Sequence, residues 1–202
     1  KNKNWIKIKT SFDNYKGFIK NSKYIDKFSP DYKVSSLKAR IFKKPGTETN
    51  SWLPFASKLS AWEKNKNYIK IQKNKWIKRK DIKKLDHKDK NFLKIFKKFI
   101  NVKYVWGGKT FQGIDCSALL QIFFKYNNLF YPRDTKDQIK YTKKKSKIIN
   151  FKKGDIIFWK GHVAICLNSK NLIHAYGPER KVIIMPIIET INLIQRTAKL
   201  KV

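Results

Sequence analysis

Polar and apolar side chains alternate in two short runs near the start of the chain. Lys3-Asn4-Trp5-Ile6-Lys7-Ile8 is followed, across a turn signal, by Gly17-Phe18-Ile19-Lys20 and then Ile25, the period-2 pattern of a half-buried hairpin. The unit recurs as Lys66-Asn67-Tyr68-Ile69-Lys70-Ile71, followed by Lys75-Trp76-Ile77-Lys78 and Ile82, so one β-rich unit occurs twice. Ahead of the second copy, Val34 to Phe42 and Trp52 to Trp62 read as strands separated by the turn segment Lys44-Pro45-Gly46. That is enough material to close a small barrel. The first copy has nothing ahead of it, and so reads as a barrel cut in half by the start of the chain.

The period changes at Asp86 to Ile100, where Phe92, Leu93, Phe96, Phe99 and Ile100 share a helical face and Lys90, Lys94, Lys97 and Lys98 lie off it. An amphipathic helix docked on its own domain is expected there. Cys116, Leu119, Leu120, Phe123 and Phe124 again follow helical spacing, with Gly113-Ile114-Asp115 as turn and entry, so Cys116 opens a second helix. After a lysine-rich loop come Asp155 to Trp159, Gly161 to Leu167, Leu172 to Tyr176, Lys181 to Pro186 and Leu193 to Leu200. Each is short, apolar and bounded by turn residues, as in an antiparallel sheet.

At 202 residues and 41% hydrophobic content the chain can bury a core, which excludes disorder as its main state. No apolar stretch approaches the roughly 18 residues of a membrane span. The net charge of +34 would concentrate any polyanion nearby. Yet only Arg40, Arg79, Arg133, Arg180 and Arg196 among the 48 cationic residues are arginine, whereas specific nucleic-acid readers use arginine for bidentate contacts. A solvated lysine surface is the plainer reading, and no specific nucleic acid is expected as a partner. Two cysteines are too few for a disulfide framework, so reduced thiols are expected.

A cysteine of ordinary pKa is only a few per cent thiolate at neutral pH, so a nucleophilic one needs help. Bringing its pKa below 6 takes about 3.4 kcal/mol, and a helix N-terminus contributes at most about 2 kcal/mol. A cationic partner must supply the remainder. His87 sits among lysines, while His162 and His174 lie in the expected sheet beyond the cysteine, which makes His162 the candidate base. From spacing alone, Cys116 reads equally as a buried apolar residue and His162 as a satisfied core histidine.

The surrounding words, in order, are Tyr104-Val105-Trp106-Gly107-Gly108, Gly113-Ile114-Asp115-Cys116-Ser117, Pro132-Arg133-Asp134-Thr135, Gly154-Asp155-Ile156-Ile157-Phe158-Trp159, Gly161-His162-Val163-Ala164-Ile165 and Ile173-His174-Ala175. Together they resemble the NlpC-type cell-wall cysteine peptidases from about Phe92 to Val202, and the repeat resembles the bacterial SH3 modules that precede this domain in γ-D-glutamyl-L-diamino acid endopeptidases. The resemblance implies Cys116 as nucleophile, His162 as general base and later acid, and His174 as the residue orienting the imidazole. It implies the Cys116 amide and the Tyr104 hydroxyl as oxyanion donors, with Asp115 and Ser117 lining the cleft and Trp106 as an apolar wall. Arg133, Asp134 and Thr135 match a loop that helps hold the amine end of a stem peptide, an acidic side chain facing an ammonium. Cys166 is expected to be an inert packing residue.

The expected fold is α+β: a partial SH3-like module over 1–29, an SH3-like barrel over 30–86 and a papain-like peptidase domain with an antiparallel sheet over 87–202. The expected function is thiol-dependent hydrolysis of the γ-D-glutamyl bond to the diamino acid in peptidoglycan stem peptides or muropeptides, with no metal and no cofactor. The rivals are an amidase or acyltransferase using the same site and a basic polyanion-binding module with an idle cysteine. Bacterial and cytoplasmic location is expected, or the periplasm or envelope if a signal peptide lies upstream. Strand parity adds a condition: His162, Ala164 and Cys166 share a face, and His174 reaches it only if it pairs with Ala164 or Cys166 or if a bulge intervenes. The small side chains at Ala164 and Cys166 would then admit the helix carrying Cys116.

Overall fold

The computed structural model describes residues 4–24, 28–142 and 150–198; Lys3, Ile25 and Leu200, which the strand assignments above include, lie outside them. The chain divides into two compact units, Lys1–His87 and Lys88–Val202.

In the first unit, β1 (Trp5–Lys9) and β2 (Lys16–Lys20) form an antiparallel hairpin. Eight further strands follow: β3 (Tyr32–Val34), β4 (Lys38–Lys44), β5 (Thr47–Pro54), β6 (Lys58–Leu59), β7 (Glu63–Lys64), β8 (Tyr68–Gln72), β9 (Lys75–Lys78) and β10 (Ile82–Lys84). They form an antiparallel sheet in the order β5-β4-β9-β8-β7 and another in the order β10-β3-β6, around a core of Tyr32, Val34, Ala39, Leu59, Ile69, Ile77 and Ile82. The expected strand Val34 to Phe42 is broken at Ser35, because the amides of Ser35 and Ser36 turn to the Asp81 carbonyl and the Ser36 hydroxyl donates to the Asp81 carboxylate at 2.6 Å. Trp52 to Trp62 is broken at Ala56, whose φ of 62° is left-handed and incompatible with a continuing strand.

The repeat is real in register. The first copy pairs Ile6 with Ile19, and the second pairs the equivalent Ile69 with Ile77. Their surroundings differ, since Ile69 is 1% exposed and Ile6 is 39% exposed.

The second unit contains α1 (Phe92–Lys97), β11 (Lys109–Thr110), β12 (Gly113–Ile114), α2 (Cys116–Tyr126), α3 (Thr135–Tyr141), β13 (Ile156–Trp159), β14 (His162–Cys166), β15 (Asn171–Tyr176), β16 (Lys181–Pro186) and α4 (Ile187–Ala198). Helix α1 is shorter than the Asp86 to Ile100 expected. The Asn127 side chain holds Asp89 by both its amide and its carbonyl, so the backbone enters the helix only at the Asn91 cap. Two expectations fail on the helical side. Leu193 to Leu200 does not begin a strand: Ile187, Thr190 and Ile194 are buried at the spacing of one helical face, within α4. The stretch after Pro132 is not all loop, because α3 is anchored there by the fully buried Gln138, whose amide donates to the Ser117 and Pro132 carbonyls at 2.9 Å each.

Strands β13 to β16 form one antiparallel sheet in chain order. Cys116, Leu119 and Leu120 of α2 line a small cavity with Val163, Ala164, Ile165 and Ile173. Ile157, Ala164, Cys166 and Leu172 also pack with Ile187 and Ile194 of α4. Ala164 therefore lies near Cys116 of α2, as its small size led one to expect, and also packs with α4, while Cys166 packs with α4.

Candidate active site

Cys116 is the first residue of α2 because Asp115, in extended conformation at φ −99° and ψ 174°, caps the helix by accepting the Ala118 amide at 2.8 Å. The same carboxylate accepts from the Gly107 amide at 2.9 Å, the Ser117 hydroxyl at 3.1 Å and both terminal nitrogens of Arg133 at 3.0 and 2.5 Å. Arg133 also donates to the Ser117 hydroxyl at 2.7 Å. Asp115, Ser117 and Arg133 are all buried. An ion pair taken out of water holds only when its remaining hydrogen-bonding capacity is satisfied, as it is here. The cleft residues Asp115 and Ser117 and the loop residue Arg133 thus satisfy one another beneath the start of α2.

The Cys116 thiol is itself buried, at 6% exposure. Burial pushes its pKa up and the nearby Asp115 carboxylate adds to this, while Val163, Ser117 and Thr135 pull the other way. The net direction is upward. Val163, the residue that follows His162, lines a small cavity together with Cys116. The Cys116 amide, at the first helical position, has no partner within the helix and remains available to a ligand oxygen. Tyr104 lies close by: burial, then Cys116 and Asp115, push its phenol above its ordinary value, so it stays a proton donor. Its ring lies over Gly177, where an added Cβ would come within 3.5 Å of it.

His162 Nε2 and His174 Nδ1 are 2.9 Å apart. The register that brings them together pairs Ile165 with Ile173 and Cys166 with Leu172, and the Leu167 amide donates to the Asn171 carbonyl. Continuing this register sets His174 opposite Ala164, so a hairpin loop of odd length puts both histidines on one face. Burial lowers the His162 pKa to about 4 and, joined by the neighbouring His162, lowers that of His174 to about 3. Both rings are neutral at pH 7. With the thiol raised as well, the resting site holds a neutral thiol and a neutral imidazole rather than the thiolate beside an imidazolium expected from the chemistry alone.

Three further residues surround the histidines, of which only Trp159 belongs to one of the sequence motifs. Trp159 pairs with His162 across the Lys160-Gly161 turn, with ring centroids 5.5 Å apart. Tyr176 stacks on His174 at 4.7 Å and 9°. The sulfur of Met185 lies 3.3 Å from His174 Nε2. The two-residue turn at Gly161, with φ +81°, was the available signal for Trp159; nothing local marks Tyr176 or Met185.

Of the remaining candidates, Trp106 is 81% exposed on a turn whose Gly107 has φ +76°, so it is not a core residue. Asp134 occupies the N-cap position of α3 but makes no capping bond with its side chain. Cys166 is fully buried and its thiol is pushed up to about 12, first by burial and then by Asp155.

Residues 101–197 match the model of the NlpC/P60 family. The chain is similar to a dipeptidyl-peptidase 6 of Lysinibacillus sphaericus, with 36% identity over 38% of this chain and 28% of that protein. It is also similar to a γ-D-glutamyl-L-lysine dipeptidyl-peptidase of Bacillus cereus, with 33% identity over 45% of this chain and 29% of that protein. The matched stretch spans under a third of the length of these two curated relatives. In three dimensions the chain resembles the crystal structure of an NlpC/P60 family protein from Bacillus cereus, with a TM-score of 0.79, 21% identity, and coverage of 93% of this chain and 72% of that one. Over residues 101–197, then, the chain is similar to the NlpC/P60 family.

Proposed function

We propose that this protein is a cysteine peptidase that hydrolyses the bond between γ-D-glutamate and the diamino acid of peptidoglycan stem peptides. The observation that carries the reading is the grouping of three residues at one strand start: Cys116 lines a cavity with Val163, and His162, the residue before it, lies 2.9 Å from His174. The name of the Bacillus cereus relative supports the bond type.

In this reading His162 takes the thiol proton on Nδ1, the nitrogen that His174 does not occupy, and the sulfur attacks the γ-carbonyl carbon. The Cys116 amide and the Tyr104 hydroxyl hold the oxyanion. The proton on His162 passes to the leaving amine of the diamino acid as the C–N bond breaks, leaving a thioester. Water then attacks the thioester, giving its proton to His162, and the thiol is restored. Because the thiol and the imidazole rest as a neutral pair, His162 acts as a general base during attack and not as a preformed cation. Thr135 orients the sulfur, Trp106 offers an apolar wall, and the uncapped Asp134 carboxylate receives the free α-amine of the substrate.

The substrate is then a stem peptide already released from glycan at its L-alanine, cut after γ-D-glutamate to free a dipeptide, which suits a cytoplasmic site of action. We further read the first unit as SH3-like and the second as papain-like. The test compares L-Ala-γ-D-Glu-diamino acid with its N-acetylated form in the wild type and in Asp134→Asn. The free amine should be preferred, and less so in the variant. Equal or faster cleavage of the acetylated peptide by both would reject the exopeptidase reading, and full activity of Cys116→Ala would reject the peptidase reading altogether.

A further inference from the structure

We propose that Met185 is a positioning residue that sets which nitrogen of His174 carries the proton and, through it, which nitrogen of His162 is free to act as a base. The inference rests on the reading of His162 as that base.

Strand β15 pairs with β16 so that Leu172 faces Met185 and His174 faces Ile183. Residues 172, 174, 183 and 185 therefore share one face, and Met185 sits diagonally across from His174, within reach of a long side chain. Its sulfur lies 3.3 Å from Nε2. A thioether has lone pairs and no hydrogen to give, so this contact is a hydrogen bond only when Nε2 carries the proton. A neutral His174 then has a bare Nδ1. At 2.9 Å from His162 Nε2, that bare nitrogen can only accept, and the proton between the rings belongs to His162 Nε2. The lone pair of His162 is left on Nδ1, on the far side of the ring.

The opposite arrangement is inactive. A proton on His174 Nδ1 would point at His162 Nε2, demand a lone pair there and leave the His162 proton on Nδ1, where a base must have none. An acceptor that cannot donate, placed on the outer nitrogen of the second histidine, excludes that state. The arrangement also survives the proton transfer: once Nδ1 of His162 is protonated, Nε2 still donates to His174 and no ring need turn. Burial of both rings makes this selection matter, because it keeps them neutral, and only a neutral imidazole has a tautomer to choose.

Met185 is the chain's single methionine, so replacing it alters one sulfur only. Long-range ¹H–¹⁵N spectra of the resting protein at pH 7 report the protonated nitrogen of each ring without any substrate. In the wild type both His162 and His174 should show the Nε2–H pattern. Met185→Leu keeps the volume and removes the acceptor: His174 should become a mixture of tautomers, and kcat on the stem peptide should fall roughly two- to tenfold, the size of one neutral hydrogen bond, with KM unchanged. Replacement by selenomethionine, which keeps an acceptor, should preserve both the spectrum and kcat. A proton on Nδ1 of His174 in the wild type, or an unaltered Nε2–H pattern in Met185→Leu, would overturn the proposal. If Met185→Leu does not fold, the wild-type spectrum decides alone. Failure of the wild type to cleave the peptide would count against the peptidase reading and leave the tautomer result standing.

Discussion

Arg133 Nη2 lies 2.5 Å from Asp115 Oδ2, and both side chains are buried. The pair locks the segment after Pro132 to the residue that caps α2, and so determines where Cys116 begins its helix. A fork of two parallel N–H donors matches a carboxylate in a way that a lysine ammonium cannot.

Removing one side of this pair leaves the other charged and unpaired. Arg133→Ala should destabilise the protein by about 3 to 5 kcal/mol, and Arg133→Lys should recover only part of the loss. Urea denaturation checks this. Unchanged stability together with a raised KM would mean that Arg133 serves the substrate and not the fold.

The two thiols should differ in both rate and pH dependence. Val163, Ser117 and Thr135 act against the burial that raises the Cys116 thiol, while Cys166 is fully buried with its thiol at about 12, so iodoacetamide should label Cys116 first in the folded protein. Because burial raises the Cys116 thiol, its alkylation should climb continuously from pH 6 to pH 9. A rate already on a plateau at pH 6 would reveal a resting ion pair, and faster labelling of Cys166, read by peptide mapping, would reject the assignment of the nucleophile.

Acid should weaken the fold through the histidines. Their folded pKa values of about 4 and about 3 lie below the ordinary 6.5, so between pH 6.5 and these values the unfolded chain binds more protons than the folded one. Stability then falls as the pH falls through that window. The wild type should lose more Tm between pH 7 and pH 5 than His162→Gln/His174→Gln, even if the double variant starts lower. Equal losses would show that neither ring is held neutral.

Gly108 is the tightest backbone approach near the site. A Cβ there would stand 2.5 Å from the Gly113 carbonyl oxygen and 2.8 Å from that of Val105, and neither atom belongs to a side chain that could move aside. Gly108→Ala should cost roughly 1 to 3 kcal/mol of stability, measured by denaturation, and should lower activity by displacing the turn that carries Trp106. An alanine tolerated in both respects would mean that the turn adapts.

Local patterns in the sequence determined the elements whose cause is itself local. Alternation marked the hairpins of both repeat copies, while the equivalent pairs Ile6 with Ile19 and Ile69 with Ile77 came from the structure. Asp115 before the apolar run placed the start of α2, because a cap and a stripe are properties of neighbouring residues. Parity arithmetic limited how His174 could meet His162. The same approach failed where the deciding contact came from far along the chain: Asn127 shortens α1, Asp81 breaks the strand after Val34, and the α4 stripe beginning at Ile187 was mistaken for the end of a sheet.

Tertiary structure alone decided what the charged and polar candidates do. Arg133 and Asp134 are adjacent and equally polar in the sequence, yet one guanidinium is buried against Asp115 while the neighbouring carboxylate makes no capping bond. The protonation of the site was likewise out of reach, since it depends on how deeply Cys116, His162 and His174 are removed from water. So was Met185, whose sulfur meets His174 only through the register of β15 on β16. Sequence names the chemical groups; burial and register, which no local pattern carries, determine their partners and their charge.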